Sequence, residues 1–277
     1  MAGGGTPADL DAAVTAAAPQ GVRAVHPAMA VLEYFLVGYK RVWRGTVFSS
    51  FALPVLFFLG MGVAVGAYVD RGGNLDMPYL QFIAPGLLAF TGLQIAMMES
   101  GFPVLGNFKW HKIYFGMASA PLRVGDMLLG QLGYISLRVL VAATGFLLVM
   151  VPFGAIGSAW AVLTPLVAVL VGLAVATPMF AYSATVQSPN LMAIMFRFGM
   201  LPMMLFSGVF FPVEQLPGLL QPVAYALPLW HGVELSRAAA LAIVPSWPVA
   251  AHVGYLALWC VLGFALARVR FIKRLAV

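Results

Sequence analysis

Residues 191–237 read LMAIMFRFGMLPMMLFSGVFFPVEQLPGLLQPVAYALPLWHGVELSR. The stretch begins as an apolar run suited to a membrane helix and then passes through Ser207-Gly208-Val209-Phe210-Phe211-Pro212. Beyond that point it is too apolar for an ordinary loop, and four prolines make it too broken for another span: Pro212, Pro217, Pro222 and Pro228. A simple membrane anchor has no need of such a segment, so its surroundings decide how it is interpreted.

The composition indicates a membrane protein with several spans. Of the 277 residues, 62% are hydrophobic and 9% are charged, against about 25% charged residues in soluble domains. The apolar runs are long and continuous, which favours helical spans over a barrel. Cys260 is the single cysteine, so neither an internal disulfide nor a cysteine-based metal site is expected.

These runs predict an all-α membrane protein with a flexible cytoplasmic tail over 1–27 and one transmembrane domain over 28–277. Between the tail and the first span, Glu33, Lys40, Arg41 and Arg44 share one narrow sector of a helical wheel, which predicts an interfacial amphipathic helix over 28–44. The six expected spans cover about 46–69, 80–101, 127–151, 159–186, 191–211 and 249–267.

The distribution of Lys and Arg predicts the orientation. One side of the membrane receives Arg23, Lys40, Arg41, Arg44, Lys109, Lys112, Arg123 and the basic C-terminus, whereas the other receives only Arg71 and Arg237. By the positive-inside rule both termini are cytoplasmic, 102–126 is cytoplasmic and 212–248 faces outward. The outward segment is then expected to re-enter the outer leaflet, with short helices near 217–225 and 230–242 separated by Pro228. Glu234 and Arg237, three residues apart, are expected to pair on the exposed face of the second helix.

Motifs for several enzyme classes are missing from the sequence. It contains no G-x-x-x-x-G-K-[ST], no H-E-x-x-H and no G-x-S-x-G, so no P-loop, zinc-protease or hydrolase site is expected. His26, His111, His231 and His252 are far apart in the chain and are predicted on both sides of the membrane, so no metal site is expected. His231, next to Trp230, is interpreted as a packing residue.

Three ionisable residues fall within predicted spans, where such groups are candidates for function. Glu99 lies near the cytoplasmic end of span two and is expected to reach water. Arg197 lies a third of the way into span five and can extend towards the cytoplasm. Arg138 is deeper and needs a partner, a wet cavity or an anionic ligand, so a structural pairing and a substrate-facing role stay equally open.

The cytoplasmic segment 104–121 is basic and aromatic, and it is compatible with a helix from Val104 to Ser119. Its cations would hold a surface helix against anionic lipid. Its Trp and Tyr residues would equally suit a docking helix for a cytoplasmic partner.

The chain resembles the membrane subunits of ABC-2-type exporters, especially the permeases of nodulation lipo-oligosaccharide export and of daunorubicin-type drug efflux. The resemblance covers nearly everything after residue 28. It is carried by Ser207-Gly-Val-Phe-Phe-Pro, Leu216-Pro217, Gln221-Pro222, Leu227-Pro228-Leu229, Ala84-Pro85-Gly86 and Ala118-Ser119-Ala120-Pro121-Leu122.

The resemblance implies two such permease subunits, as a homo- or heterodimer, in a bacterial cell membrane with two cytoplasmic ATPase subunits beneath them. ATP and Mg would be bound by the ATPases, with no cofactor on this chain, and membrane lipids but no nucleic acid would be partners. A coupling helix around 106–117 would contact the ATPase through Phe108, Lys109, Trp110, His111, Lys112 and Tyr114. The interfacial helix would also touch the ATPase, spans one and five would border a lateral opening, and 212–242 would close the outer end of the path.

For the translocation path, the expected residues are Arg138, Arg197, Phe210, Phe211 and Tyr225, of which the three aromatic residues either pack the outer closure or form its gate. Two departures from the family pattern concern charge. Lys109-Trp110-His111-Lys112 replaces an acidic coupling region, which predicts a more acidic partner groove, and Arg197 replaces a neutral polar residue.

The function expected from these observations is ATP-driven export of an amphipathic substrate: a glycolipid, a lipid-linked saccharide or a hydrophobic drug. An intramembrane lipid-modifying enzyme is the first alternative, but the clustered polar residues that it needs are missing from the predicted spans. An ion-coupled carrier is the second, and a single carboxylate within the spans disfavours it.

Overall fold

The computed structural model of the protein describes residues 26–72 and 77–276. Residues 1–25 of the expected tail lie outside this range. Every regular element in the described residues is helical, as the composition predicted. In chain order the α-helices are α1 (Pro27–Phe57), α2 (Gly66–Gly72), α3 (Tyr79–Ser100), α4 (Phe102–Lys109), α5 (Ile113–Ala118), α6 (Val124–Met150), α7 (Thr164–Thr185), α8 (Pro189–Met195), α9 (Leu201–Phe206), α10 (Gln221–Tyr225), α11 (Pro228–Leu241) and α12 (Val249–Leu275).

Five helical stretches of the described chain are long and apolar enough to cross a membrane, and they correspond to predicted spans two to six. They are Tyr79–Lys109, Val124–Met150, Ala159–Thr185, Pro189–Phe206 and Val249–Leu275. Three ends differ from the prediction. The stretch that begins at Tyr79 continues past Gly101 into α4 and ends at Lys109. The fifth span stops at Phe206 because Gly208 takes a positive φ of 75°, and α12 runs on to Leu275 because no proline or glycine follows Gly263.

The first predicted span, 46–69, is not among those five, so the count of six spans stays a prediction. Its residues belong to one uninterrupted helical stretch, in which a π-helical segment (Phe58–Val65) joins α1 to α2. The separate interfacial helix expected over 28–44 is therefore not observed, because α1 continues through Gly45 without a break. A single glycine weakens a helix but, unlike proline, leaves its hydrogen bonds in place.

The N-terminal half of α1 packs along the first half of α6. Phe35 stacks on Tyr134 with ring centroids 5.6 Å apart. A Cβ added to Gly130 would lie 2.6 Å from the carbonyl oxygen of Ala28, so the two backbones approach closely only because residue 130 is glycine. The apolar face of this half of α1 therefore contacts another helix.

α3 is the centre of the bundle, since 17 of its 22 residues are buried. It crosses α7 at Gly92, where an added Cβ would lie 2.1 Å from the carbonyl oxygen of Ala168. Small residues allow this kind of close crossing between membrane helices, where packing rather than water exclusion drives association. The periphery is different: in the fourth candidate span, Pro189–Phe206, only 6% of the residues are buried.

The membrane-length helices alternate in direction and give the bundle two distinct ends. We call one the basic end, where α4 and α5 meet the C-terminal turn of α12. The other is the capped end, formed by residues 207–248. α3 starts at the capped end and finishes at the basic end, so it connects the two.

Replacing Gly92 with Ala is expected to destabilise the protein by about 1–3 kcal/mol, because the new methyl group overlaps the α7 backbone. The midpoint of thermal unfolding in detergent measures this effect. Gly254→Ala in α12 is the matched control, since no atom lies within 4 Å of an added Cβ there. Equal unfolding midpoints for the two variants would contradict the close crossing at Gly92.

Candidate functional site

A short exposed turn lies at the basic end of the bundle. α4 finishes at Lys109, the chain turns through Trp110–Lys112, and α5 begins at Ile113. Lys112 takes the left-handed conformation with φ 55°. The single helix expected over 104–119, and with it a continuous coupling helix over 106–117, is therefore wrong, since the segment consists of two short helices.

The six residues predicted to contact an ATPase divide into two groups. Lys109, Trp110, His111 and Lys112 are exposed, with Trp110 at 55%, and we call them the tip. Phe108 and Tyr114 are fully buried beneath it, so they support the tip instead of presenting a surface to a partner.

An aromatic cluster fixes the tip to α12. The Phe108 ring lies 4.6 Å from that of Tyr114, and Phe271 lies 4.8 Å and 5.2 Å from the two. The Tyr114 hydroxyl donates to Gln131 Oε1 at 2.5 Å, and burial raises the pKa of this phenol, which keeps it a donor. The tip is thereby joined to α6 and α12 as well as to α3, which α4 follows directly.

An ion pair joins two of the three charged residues predicted within spans. Arg138 of α6 contacts the Glu99 carboxylate of α3, with 6% and 20% of the two side chains exposed. The Arg138 guanidinium also lies 5.5 Å and 6.0 Å from the ring centroids of Tyr39 and Tyr134. Arg138 therefore has the carboxylate partner that its depth requires, and Glu99 is held by that partner as well as being partly exposed.

A cavity of about 610 Å³ opens beside this pair, between α1, α4 and α6. Glu99 lies in its wall together with three tyrosines and a cation, which are Tyr34, Tyr39, Tyr134 and Arg41. Arg197 is not part of it. That residue is exposed within the π-helical segment Phe196–Met200.

The capped end is fixed by Arg237 of α11. Its Nε donates to the Phe82 carbonyl at 3.2 Å and its Nη2 to the Gly208 carbonyl at 2.5 Å, while the guanidinium lies 3.7 Å from the Phe82 ring centroid. Glu234 Oε1 is 3.8 Å from Nη1. Burial lowers the pKa of Arg237 to about 10, so it is still charged at neutral pH. The expected pairing of Glu234 with Arg237 on an exposed face is thus corrected, because the cation is buried.

Two of the motifs that carry the family resemblance, Ala84–Gly86 and Ser207–Pro212, meet at this end. A Cβ on Gly86 would lie 3.2 Å from the Cα and the carbonyl oxygen of Val209. The Tyr79 hydroxyl donates to the Phe210 carbonyl at 3.1 Å. The opening of α3 and the turn after α9 therefore form one packed unit.

The aromatic residues predicted for the path pack within this capped end. Phe211 and Tyr225 lie against a small buried cluster of Val213, Leu216, Ala224 and Trp230, whereas Phe210 packs on the main core. The Tyr225 ring is 4.8 Å from that of Trp230. The five predicted path residues therefore do not converge: Arg138, Arg197 and the aromatic group occupy three separate places.

Two histidines that lie 21 positions apart in the sequence are in contact, although no contact between them was expected. His231 and His252 have their Nδ1 atoms 2.9 Å apart. His231 Nε2 lies 3.1 Å from the Tyr225 carbonyl, which can only accept, so Nε2 carries the proton and His252 Nδ1 donates to His231 Nδ1. Burial, reinforced by His252, lowers the pKa of His231 to about 4, so His231 is neutral at pH 7. Each histidine lies in the first turn of its helix after a proline, Pro228 or Pro248, which is the only trace of the pair in the sequence.

The Glu99–Arg138 pair is expected to behave as one unit in a double-mutant cycle. Glu99→Gln or Arg138→Gln leaves one charge without its counter-charge and is expected to cost about 3 kcal/mol, the low end for a buried pair because Glu99 is one-fifth exposed. The double variant is expected to lose clearly less than the sum, measured by unfolding midpoints in detergent. Additive losses would show that the two charges do not stabilise each other.

Comparison with known proteins agrees with the motifs. The model of the ABC-2 type transporter family matches residues 28–241. Nodulation protein J of Rhizobium leguminosarum bv. trifolii is 28% identical over 250 residues, which cover 89% of this chain and 93% of that protein. Nodulation protein J of Sinorhizobium fredii is 29% identical over 241 residues, covering 86% and 90%, and that of Neorhizobium galegae is 28% identical over 239 residues, covering 85% and 89%. Because the family model spans most of the chain, this protein belongs to the ABC-2 type transporter family.

Proposed function

We propose that the chain is the permease subunit of an ATP-driven exporter and that separate cytoplasmic ATPase subunits dock on the tip, Lys109–Lys112. The observation that carries the proposal is the tip itself. It exposes a tryptophan between cations, and exposed tryptophans are frequent anchors of protein interfaces. The chain has no P-loop of its own, so ATP and Mg belong on the partner.

The packing around the tip suits the transmission of force. α4 follows α3 directly at Gly101, and Phe108 and Tyr114 tie the same segment to Phe271 of α12. A displacement of the tip by the ATPase would therefore reach the most buried helix of the bundle and the C-terminal helix together.

Both termini and the tip are cytoplasmic in this proposal, and the capped end faces outward, as the distribution of Lys and Arg predicts. The capped end then closes the outer side of the path. Arg237 holds this closure on α3, and Phe210, Phe211 and Tyr225 pack it. Substrate would leave when the closure separates from α3 or when spans one and five part.

The proposed substrate is amphipathic, and a glycolipid or lipid-linked saccharide is favoured over a hydrophobic drug. The relatives carry the name Nodulation protein J. The cavity beside Glu99 and Arg138 presents tyrosine rings with a carboxylate and a cation at the basic end. Tyrosine faces and hydroxyls suit the apolar faces and hydroxyls of a sugar headgroup.

A second permease subunit is proposed to complete the path. The helices around Pro189–Phe206 bury only 6% of their residues within the chain, and this apolar surface would face the lateral opening, lipid or the second subunit.

The Glu99–Arg138 pair weakens the case for an ion-coupled carrier. Glu99 is the one acidic residue of the five described candidate spans apart from Asp126 at the first turn of α6. Its carboxylate is engaged by Arg138, and a proton-coupled carrier needs a carboxylate that titrates during transport.

Trp110→Ala tests ATPase docking. Loss of a central tryptophan is expected to weaken attachment of a co-expressed ATPase by about 2 kcal/mol, roughly thirtyfold in the dissociation constant, without loss of membrane insertion. Co-purification from membranes measures the attachment.

Trp160→Ala is the matched control for this test. Trp160 is 68% exposed and belongs to the 3-10 turn Ala159–Leu163, at the capped end. Undiminished co-purification of the Trp110 variant, or an equal loss in the Trp160 variant, would exclude docking at the tip.

A further inference from the structure

A second cavity at the basic end is lined by five cations. Its volume is about 630 Å³. It lies between the tip, the C-terminal turn of α7 and the last turns of α12. No acidic residue is part of the lining. The basic residues come from both sides of the cavity and are Lys109, Lys112, Arg270, Lys273 and Arg274.

Two of the five cations are fixed by backbone carbonyls. Arg274 Nη1 donates to the Ser183 and Val186 carbonyls at 2.9 Å each, and Lys109 Nζ donates to the Gln187 carbonyl at 3.0 Å. The Ser183 carbonyl lies in the last turn of α7, where a helix leaves its last C=O groups without intrahelical donors, and Val186 and Gln187 follow that helix directly. One wall of the cavity therefore consists of cations held in place by hydrogen bonds, whereas Arg270 and Lys273 are exposed side chains.

None of the five cations has a carboxylate within 4 Å among the described residues. The two ion pairs of that part of the chain are Arg138–Glu99 and Arg237–Glu234, both elsewhere. Cations gathered around one concave surface repel each other, and a bound anion relieves that repulsion. The cavity thus has the electrostatics of an anion site.

The surroundings identify the source of the anion as lipid. Arg270 and Lys273 of α12 are exposed. Leu266 and Val269, each four residues earlier and so one turn deeper, are both 48% exposed. This arrangement places apolar surface directly below the cations, along a helix long enough to cross the membrane. A soluble acidic partner would have no use for that apolar track, whereas the acyl chains of a lipid would cover it.

We infer that this cavity binds the phosphate headgroup of an anionic phospholipid in the leaflet at the basic end, with its acyl chains along Leu266 and Val269. Basic pockets between membrane helices recognise such headgroups through charge-assisted hydrogen bonds. The inference does not depend on the exporter function and would hold if the tip had no ATPase partner.

The test compares two double variants that remove the same charge. Arg270→Gln/Lys273→Gln alters the cavity and spares Lys109 and Arg274, which make backbone hydrogen bonds. Arg123→Gln/Arg268→Gln is the control, since both residues are exposed and neither lines the cavity. Unfolding midpoints of the purified variants establish that each is folded.

Native mass spectrometry of the delipidated full chain measures the binding of phosphatidylglycerol against phosphatidylcholine with the same acyl chains. The wild type is expected to prefer phosphatidylglycerol, the cavity variant to lose about tenfold in that affinity, and the control variant less than twofold. Equal losses in the two variants would mean general surface attraction and would overturn the inference.

Two further arms separate other occupants from lipid. Displacement of phosphatidylglycerol by millimolar inorganic phosphate would make the cavity a site for small anions and overturn the lipid assignment, whereas retention supports it. Unchanged lipid binding in the cavity variant together with lost co-purification of a co-expressed ATPase would assign the cavity to a protein contact.

Discussion

The capped end depends on the hydrogen bonds and the ion pair that the buried guanidinium of Arg237 makes. A charge in apolar surroundings is costly unless its donors are satisfied. Arg237 meets that requirement with the Phe82 and Gly208 carbonyls and the nearby Glu234 carboxylate. One side chain thus fixes α11, the start of α3 and the turn after α9 to each other. Gly86 lets the Val209 backbone approach α3, so two of the motifs that carry the family resemblance stabilise this junction.

Much of the fold could be predicted because lipid restricts the backbone. Long apolar runs must be helical there, and spans two to six fell where hydropathy placed them. In the capped end, short helices were predicted near 217–225 and 230–242, and the structure has α10 (Gln221–Tyr225) and α11 (Pro228–Leu241), with Pro228 as the first residue of α11. The turn at Trp110–Lys112 could not be predicted, since it contains neither glycine nor proline and Lys112 takes a left-handed conformation there. The helix end expected before Gly45 is not observed, because an amphipathic stretch and an apolar stretch both favour helix and can form one continuous helix.

The candidate sites were harder to predict from the sequence than the fold, because they depend on which helix faces meet. The ionisable residues were identified as candidates, but Glu99 and Arg138 are 39 positions apart and nothing local predicts their contact. Arg237 was expected on an exposed face, since spacing within a helix gives a neighbour but not burial. His231 and His252 became neighbours only through the return of the chain after α11. In the tip, residue type could not distinguish the buried Phe108 and Tyr114 from the exposed Trp110.

We propose that this chain is a permease subunit and that a separate ATPase drives it from the basic end. The most direct measurement is transport of a fluorescent lipo-oligosaccharide in proteoliposomes that contain the chain with or without a co-expressed ATPase. We expect transport only when both the ATPase and ATP are present, and we expect vanadate to stop it. Transport by the chain alone on an ion gradient would contradict it.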